Sequence, residues 1–468
     1  MYDLLLKGAH VVDPLNGVNG VNDVAVEGGK IAAVGPDLTG PAREVIDVSG
    51  WVLQPGIIDS HVHLGSMWGS PYGPRMLAMN GVTTCLDMAG PLDDILEKTP
   101  QYGAGLNTAI LQFASPPFTF KTNAPSKAEM VELIDKSLAE GALGVKLLGG
   151  HYPLTPEVSS TLIKTALERR AYVAWHAGTS AHGSNLEGMI EAVQTADGYP
   201  LHLAHINAYC RGAIKNEIDE ARTAVELLNA NPNIFSESYI SPKNGTRLTC
   251  GPDGKIQSKV TGNCLRHFGF TEDRDGVRKA LLAHKAFAVY DAGGYSDLMT
   301  GEDAVKLWES HNTDVGGSFN INPPIPRILL AQVKRPDGAF VVDAISTDGG
   351  CIPRNVILSQ GLSLVKLDVM TLTEFAQKTS LNPARMLRLK DKGHLTVGAD
   401  ADITIYDYAA QTPKMSFVEG RKVLFKGEVL GKNANIICTE RGQKAIEARG
   451  LKAIVVDPGL PVDRVKAL

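Results

Sequence analysis

The stretch GIIDSHVHLG, residues 56–65, decides the fold. It opens as an apolar strand and commits His61 and His63, two residues apart, to its carboxyl tip. Side chains alternate along a strand, so residues i and i+2 face the same way and one strand presents two imidazoles to one point. Seven further runs of the same kind follow: GVTTCLDMAG, NTAILQF, GALGVKLLGG, AYVAWHAG, PLHLAHINAY, NIFSESYI and FVVDAISTDGG. Helix-length segments lie between them, among them SKAEMVELIDKSLAEG, LEGMIEAVQTADG and IDEARTAVELLNANP, with apolar residues at i, i+3 and i+4. Strands that read as continuous apolar runs are buried on both faces, which implies a parallel sheet with helices outside it. The expected fold is α/β, a (β/α)8 TIM barrel. Its seventh strand is the hardest to place, because residues 240–300 after it are irregular.

Working outward, residues 1–54 alternate short strands with Gly, Asp and Asn turns, and the same style returns in GADADITIYDYAA and SFVEGRKVLFKGEVLG. The expectation is a small composite β-sandwich domain built from both chain ends, residues 1–54 plus 395–468, against a catalytic barrel of residues 55–394. The turn-rich 240–300 segment is expected to form a lid over the barrel mouth or an oligomer contact.

Composition narrows the function. The 468 residues carry 46 basic and 51 acidic side chains, a net charge of −5 without a basic stripe, which argues against nucleic acid. Six cysteines stand without a CxxC pair, so neither a zinc ribbon nor a redox motif is expected, and reduced thiols fit the cytoplasm. No signal sequence is read at the N-terminus, and no apolar stretch approaches ~20 residues, so no membrane partner is expected.

Barrel enzymes carry their reactive groups at the carboxyl ends of the strands. His176 ends AYVAWH, His205 ends LHLAH and Asp348 ends VVDAISTD, all at the level of His61 and His63. Lys146 ends GALGVK. A lysine there is costly as a cation; desolvation lowers its pKa, and a neutral amine can take up carbon dioxide as a carbamate. That carbamate would be an anionic oxygen ligand able to bridge two divalent ions. A single barrel histidine is more often satisfied by hydrogen bonds than ligated, but five sites with Lys146 are hard to explain as packing. His202 is read as structural, His182 as a solvated loop residue and Cys85 as a small buried hydrophobe.

These stretches, with the closing GHLTVGADADITIYD, resemble the amidohydrolase superfamily, in its hydantoinase, isoaspartyl dipeptidase and N-acyl-D-amino-acid deacylase branch. The resemblance implies His61, His63 and Asp348 on one metal ion, His176 and His205 on the other, and carboxylated Lys146 bridging. It further implies a hydroxide between the ions that attacks an amide or cyclic-amide carbonyl, with Asp348 taking its proton and returning it to the leaving nitrogen. Zinc is the default metal, with manganese or cobalt also suited to this ligand set. The implied substrate is a small molecule: an N-acyl amino acid, a β-aspartyl dipeptide or a hydantoin-like ring. Thr179 stands where one-metal deaminases of the superfamily place a glutamate, which disfavours deamination of a heterocycle. The resemblance also admits lactone hydrolysis and a non-catalytic, hydantoinase-like assembly role, and a homo-oligomer is expected. Tyr152 is a candidate to hydrogen-bond the substrate carbonyl oxygen, with His151 beside it, against a packing role. Arg354 is a candidate clamp for a substrate carboxylate, against a surface ion pair. Trp68 and Tyr72, in the loop after the first strand, are read as an aromatic rim.

Overall fold

The computed structural model describes residues 1–462 and 464. Eight strand positions run in the expected order around one sheet: Ile57–His63, Val82–Ala89, Ala104–Ala114, Gly144–Leu148, Tyr172–His176, Leu201–Leu203, Ile234–Tyr239, and a split eighth strand of Ala344–Ser346 and Gly349–Gly350. The split closes the circuit. Ala344–Ser346 pairs in parallel with the seventh strand, Gly349–Gly350 pairs in parallel with the first, and between them Asp348 N–H donates to the His61 carbonyl at 2.9 Å.

Alternation sorts the side chains. On the fourth and fifth strands Val145, Leu147, Val173 and Trp175 join the outer core against the helices. Tyr172 and Ala174 join Ile58, Leu86, Met88, Leu111, Phe235 and Ala344 in a separate cluster inside the barrel. Lys146 lies between two outward residues and so points inward. The helices start where local chemistry predicts: Ser126 caps Lys127–Glu140 with a reciprocal bond from Glu129, and Asn216 caps Glu217–Ala230.

Both chain ends contribute to a second, nine-stranded sheet, in which Val52–Pro55 pairs antiparallel with Ile403–Asp407. Its core gathers Leu4, Leu6, Val24 and Val26 from one end with Ile403, Ile405 and Phe417 from the other. The tail departs from the expectation that residues 395–468 belong with this sheet. Asn433–Cys438 pairs in parallel with the third barrel strand, and Lys452–Val455 pairs with it in turn. This extends the barrel sheet outward along an edge that would otherwise carry unpaired backbone groups. Residues 463 and 465–468 of that expected segment lie outside the described residues.

The irregular stretch after the seventh strand is an ordered unit longer than residues 240–300. It holds a four-stranded sheet between Thr246 and Phe319, helices Lys259–His267, Arg274–Leu282 and Glu302–Ser310, and its own core around Trp308, Phe319 and Leu265. It touches the loop after the first strand, where Ser296 N–H meets Met76 Sδ at 3.3 Å and Tyr72 OH meets Asp291 Oδ2 at 3.3 Å. No helix among the described residues is long and apolar enough to cross a membrane.

Candidate metal centre

The first strand delivers both its histidines to one atom. His63 Nε2 lies 2.9 Å and His61 Nε2 3.3 Å from Asp348 Oδ1. These donors form a buried group whose ligand atoms all lie within 4.8 Å of one another. Two imidazole nitrogens and a carboxylate oxygen are a zinc-type donor set, and ligands bonded at ~2.0–2.2 Å around a tetrahedral ion stand about 3.3–3.6 Å apart. The three residues therefore fit a divalent ion.

A second pair faces them. His176 Nδ1 and His205 Nε2 are 3.0 Å apart, and His176 is fixed from behind by Ser184 Oγ, 2.7 Å from its Nε2. The His61 and His205 rings stack at 5.2 Å, which makes the four histidines one cluster. His205 reaches this position by leaving strand geometry. With φ +37° its side chain turns back toward the mouth, while His202 lies deeper and shares a 2.8 Å hydrogen bond with Tyr172 OH. Asp348, at φ +52°, is the other cluster residue in the left-handed region. Sparsely populated backbone of this kind costs about 1–3 kcal/mol per residue and persists where surrounding structure imposes it.

The electrostatics favour lone-pair donors. Burial pulls His61 and His176 well below the ordinary histidine range, takes His205 down to about 3 and takes His151 down to about 4. Burial works to raise Asp348, but Arg354, His61 and His63 outweigh it and hold the carboxyl well below its usual range. Burial also lowers Lys146, against the pull of Glu237, Asp348 and Asp87. Lys146 is 1% exposed and its Nζ meets the Met88 thioether at 2.9 Å, a weak acceptor for an ammonium group.

Glu237 is a site residue that strand-end position does not reveal. It is fully buried on the seventh strand and touches His61, His205 and Ser346. The signal was present in NIFSESYI: a carboxylate inside a strand buried on both faces is rarely tolerated without a partner. Ser184, in HAGTSAHGSN, offered no comparable signal.

The remaining expected residues divide between rim, packing and loop. His151 stands at the rim, 5.5 Å from the His176 ring and 6.5 Å from Trp68. Tyr152 packs edge-on against Phe118 at 5.2 Å, beside Phe113 and Leu148. Cys85 is buried and its thiol is pushed up by burial. His182 is half exposed and 3.1 Å from Glu191, which also accepts from Thr179 Oγ1 at 2.6 Å. Arg354 requires correction. It is neither a surface residue nor an available clamp: its side chain is 3% exposed, Nη2 pairs with Asp348 Oδ2 at 2.5 Å, Nε donates to the Asp348 carbonyl at 2.6 Å and Nη1 to the Lys243 carbonyl at 3.0 Å. A guanidinium taken out of water needs a carboxylate to offset its desolvation, and Asp348 is the one it meets among the described residues.

The chain is similar in sequence and fold to known proteins. Residues 326–437 match the profile described as the amidohydrolase family. A dihydroorotase of Geobacter metallireducens is 25% identical over 431 residues, covering 86% of this chain and 90% of the relative. An allantoinase of Deinococcus radiodurans is 26% identical over 489 aligned positions, covering 94% and 98%. A D-aminoacylase structure, described as having a binuclear metal centre, superposes with a TM-score of 0.66 at 18% identity, covering 93% of this chain and 99% of that one.

Proposed function

Because the chain belongs to the amidohydrolase superfamily, we propose that it hydrolyses the C–N bond of a cyclic amide or N-acyl compound with two divalent ions, by default zinc. The observation that carries the reading is the convergence of His61, His63 and Asp348 on one point, with His176 and His205 facing each other beside it. His61, His63 and Asp348 would hold one ion, and His176 and His205 the other. When bound, the ions supply Lewis acidity and lower the pKa of a water from ~15.7 to ~7. Lys146, buried against a thioether, is proposed to carry the carbamate that bridges them.

The chain's own residues do the rest. Arg354 occupies Asp348 Oδ2 and keeps that carboxylate ionised; Oδ1 would ligate the ion, and the carboxylate would take a proton from the attacking water and return it to the leaving nitrogen. Trp68 and His151 line the approach. With Arg354 committed to Asp348, the cation proposed to meet a substrate carboxylate is Arg211. It is held by Asn322 Oδ1 and Tyr239 OH, both at 2.8 Å, and His205 feels its charge. The cysteines are unpaired, which favours a reducing cytoplasm, and a homo-oligomer is the proposed assembly.

The test is a panel of hydantoins, dihydropyrimidines, ureido rings, β-aspartyl dipeptides and N-acyl-D-amino acids, run on native, chelated and zinc-reloaded protein. Hydrolysis of one class that disappears on chelation and returns with zinc is the expected result. Turnover indifferent to chelation contradicts it.

A further inference from the structure

The buried acid on the seventh strand has no part in the chemistry above, yet it touches more of the centre than either rim residue. Glu237 Oε1 lies 2.7 Å from His61 Nδ1 and 2.5 Å from the His205 backbone nitrogen, and its other oxygen accepts from Ser346 Oγ. The His205 N–H can only donate, so Oε1 is an acceptor at that position. With no proton on Oε1, His61 Nδ1 is left one role, that of donor. The proton therefore sits on Nδ1, and the Nε2 lone pair faces Asp348 Oδ1 and His63.

The same oxygen acts on the other side of the cluster. His205 is the residue whose left-handed backbone returns its ring to the mouth, and the bond from its N–H to Glu237 lies at that turn. One carboxyl group thus ties a histidine of the first proposed ion to a histidine of the second, and Ser346, two residues before Asp348, holds its far oxygen. We propose that Glu237 is a positioning residue for both halves of the centre: it fixes the His61 tautomer and holds His205 in the conformation that faces His176. The metal-binding consequence rests on the hydrolase reading above; the tautomer does not.

Two measurements test it. In metal-free protein labelled with 15N-histidine, wild type is expected to show His61 as the Nδ1–H tautomer, identified by loss of its signals in His61→Asn. Glu237→Ala is expected to show mixed tautomers. In chelator competition, Glu237→Ala is expected to bind zinc about 10–100-fold more weakly, the usual effect of removing a residue that orients a ligand. Glu237→Gln, whose amide oxygen still accepts from both donors, is expected to recover most of that loss. Should Glu237→Ala not fold, Glu237→Asp, whose shorter side chain cannot span both donors, is expected to weaken zinc in the same direction. Wild-type zinc affinity and tautomer in the Ala or Asp variant, with only a lowered melting temperature, would overturn the proposal. A wild-type chain that binds no zinc would sink the hydrolase reading, while the tautomer measurement still decides the role of Glu237.

Discussion

Replacing Arg354 with methionine separates two accounts of that residue. Its guanidinium makes one ion pair and two backbone hydrogen bonds, all within 3.0 Å, and lies over the Tyr239 ring at 4.8 Å. Removing one partner of a buried pair costs about 3–5 kcal/mol, because the remaining charge stays buried. Unfolding entropy is about 2.1 cal/mol/K per residue, so 468 residues melting as one unit give about 1 kcal/mol/K. The expected shift is therefore a Tm about 3–5 °C lower, read by differential scanning calorimetry on chelated protein. Loss of zinc affinity should accompany it, since Asp348 is left without the cation that holds it ionised. A variant that keeps its Tm within about 1 °C and its zinc, and loses only KM for an acidic substrate, would refute this reasoning and return Arg354 to the role of substrate clamp.

Three further perturbations have defined outcomes. Gly150→Ala would press a Cβ into the His176 ring at Nε2, so turnover is expected to fall on the order of 10²-fold with little loss of secondary structure by circular dichroism; unchanged kcat would contradict the close approach of Gly150 to His176. Lys392 lies 2.8 Å from both Asp400 and Asp402 with its side chain 2% exposed, and Lys392→Met is expected to cost about 3–5 kcal/mol in urea unfolding; a loss under about 1 kcal/mol would mean the two carboxylates find other partners. Lys378, buried against Phe340 with Asp343 and Glu374 nearby, is lowered by burial from 10.5 to about 7. Between those values the unfolded chain binds a proton that the folded chain does not, so this site adds stability as pH rises from about 7 toward 10.5. The stability advantage of Lys378→Met over wild type should therefore shrink between pH 7 and pH 9, and a gap independent of pH would count against the burial of this amine.

The barrel was legible because parallel strands buried on both faces leave unbroken apolar runs, and because reactive residues end those runs. Each of the eight strands lies within or beside its apolar run, although the eighth begins only at Ala344, after a turn that the run FVVD concealed. The tail was not legible. Asn433–Cys438 has the same short-strand, glycine-turn style as the chain-end sheet, and only tertiary docking decides which sheet a strand joins. At the site, strand-end residues were readable from position, whereas Glu237 was missed because it sits inside its strand. Its role comes from three partners far apart in sequence. Arg354 was read as a substrate clamp or a surface ion pair, because spacing carries no information about which carboxylate its fork meets. His202 and His205 differ by a backbone turn at His205 that alternation alone does not predict.

The most direct test of the central claim is metal content per chain after zinc loading and desalting, for wild type, Lys146→Ala and His176→Ala. The account predicts about two ions for wild type and at most one for each variant. One ion per chain, unchanged by Lys146→Ala, or no ion at all, would contradict a two-ion centre bridged by that lysine.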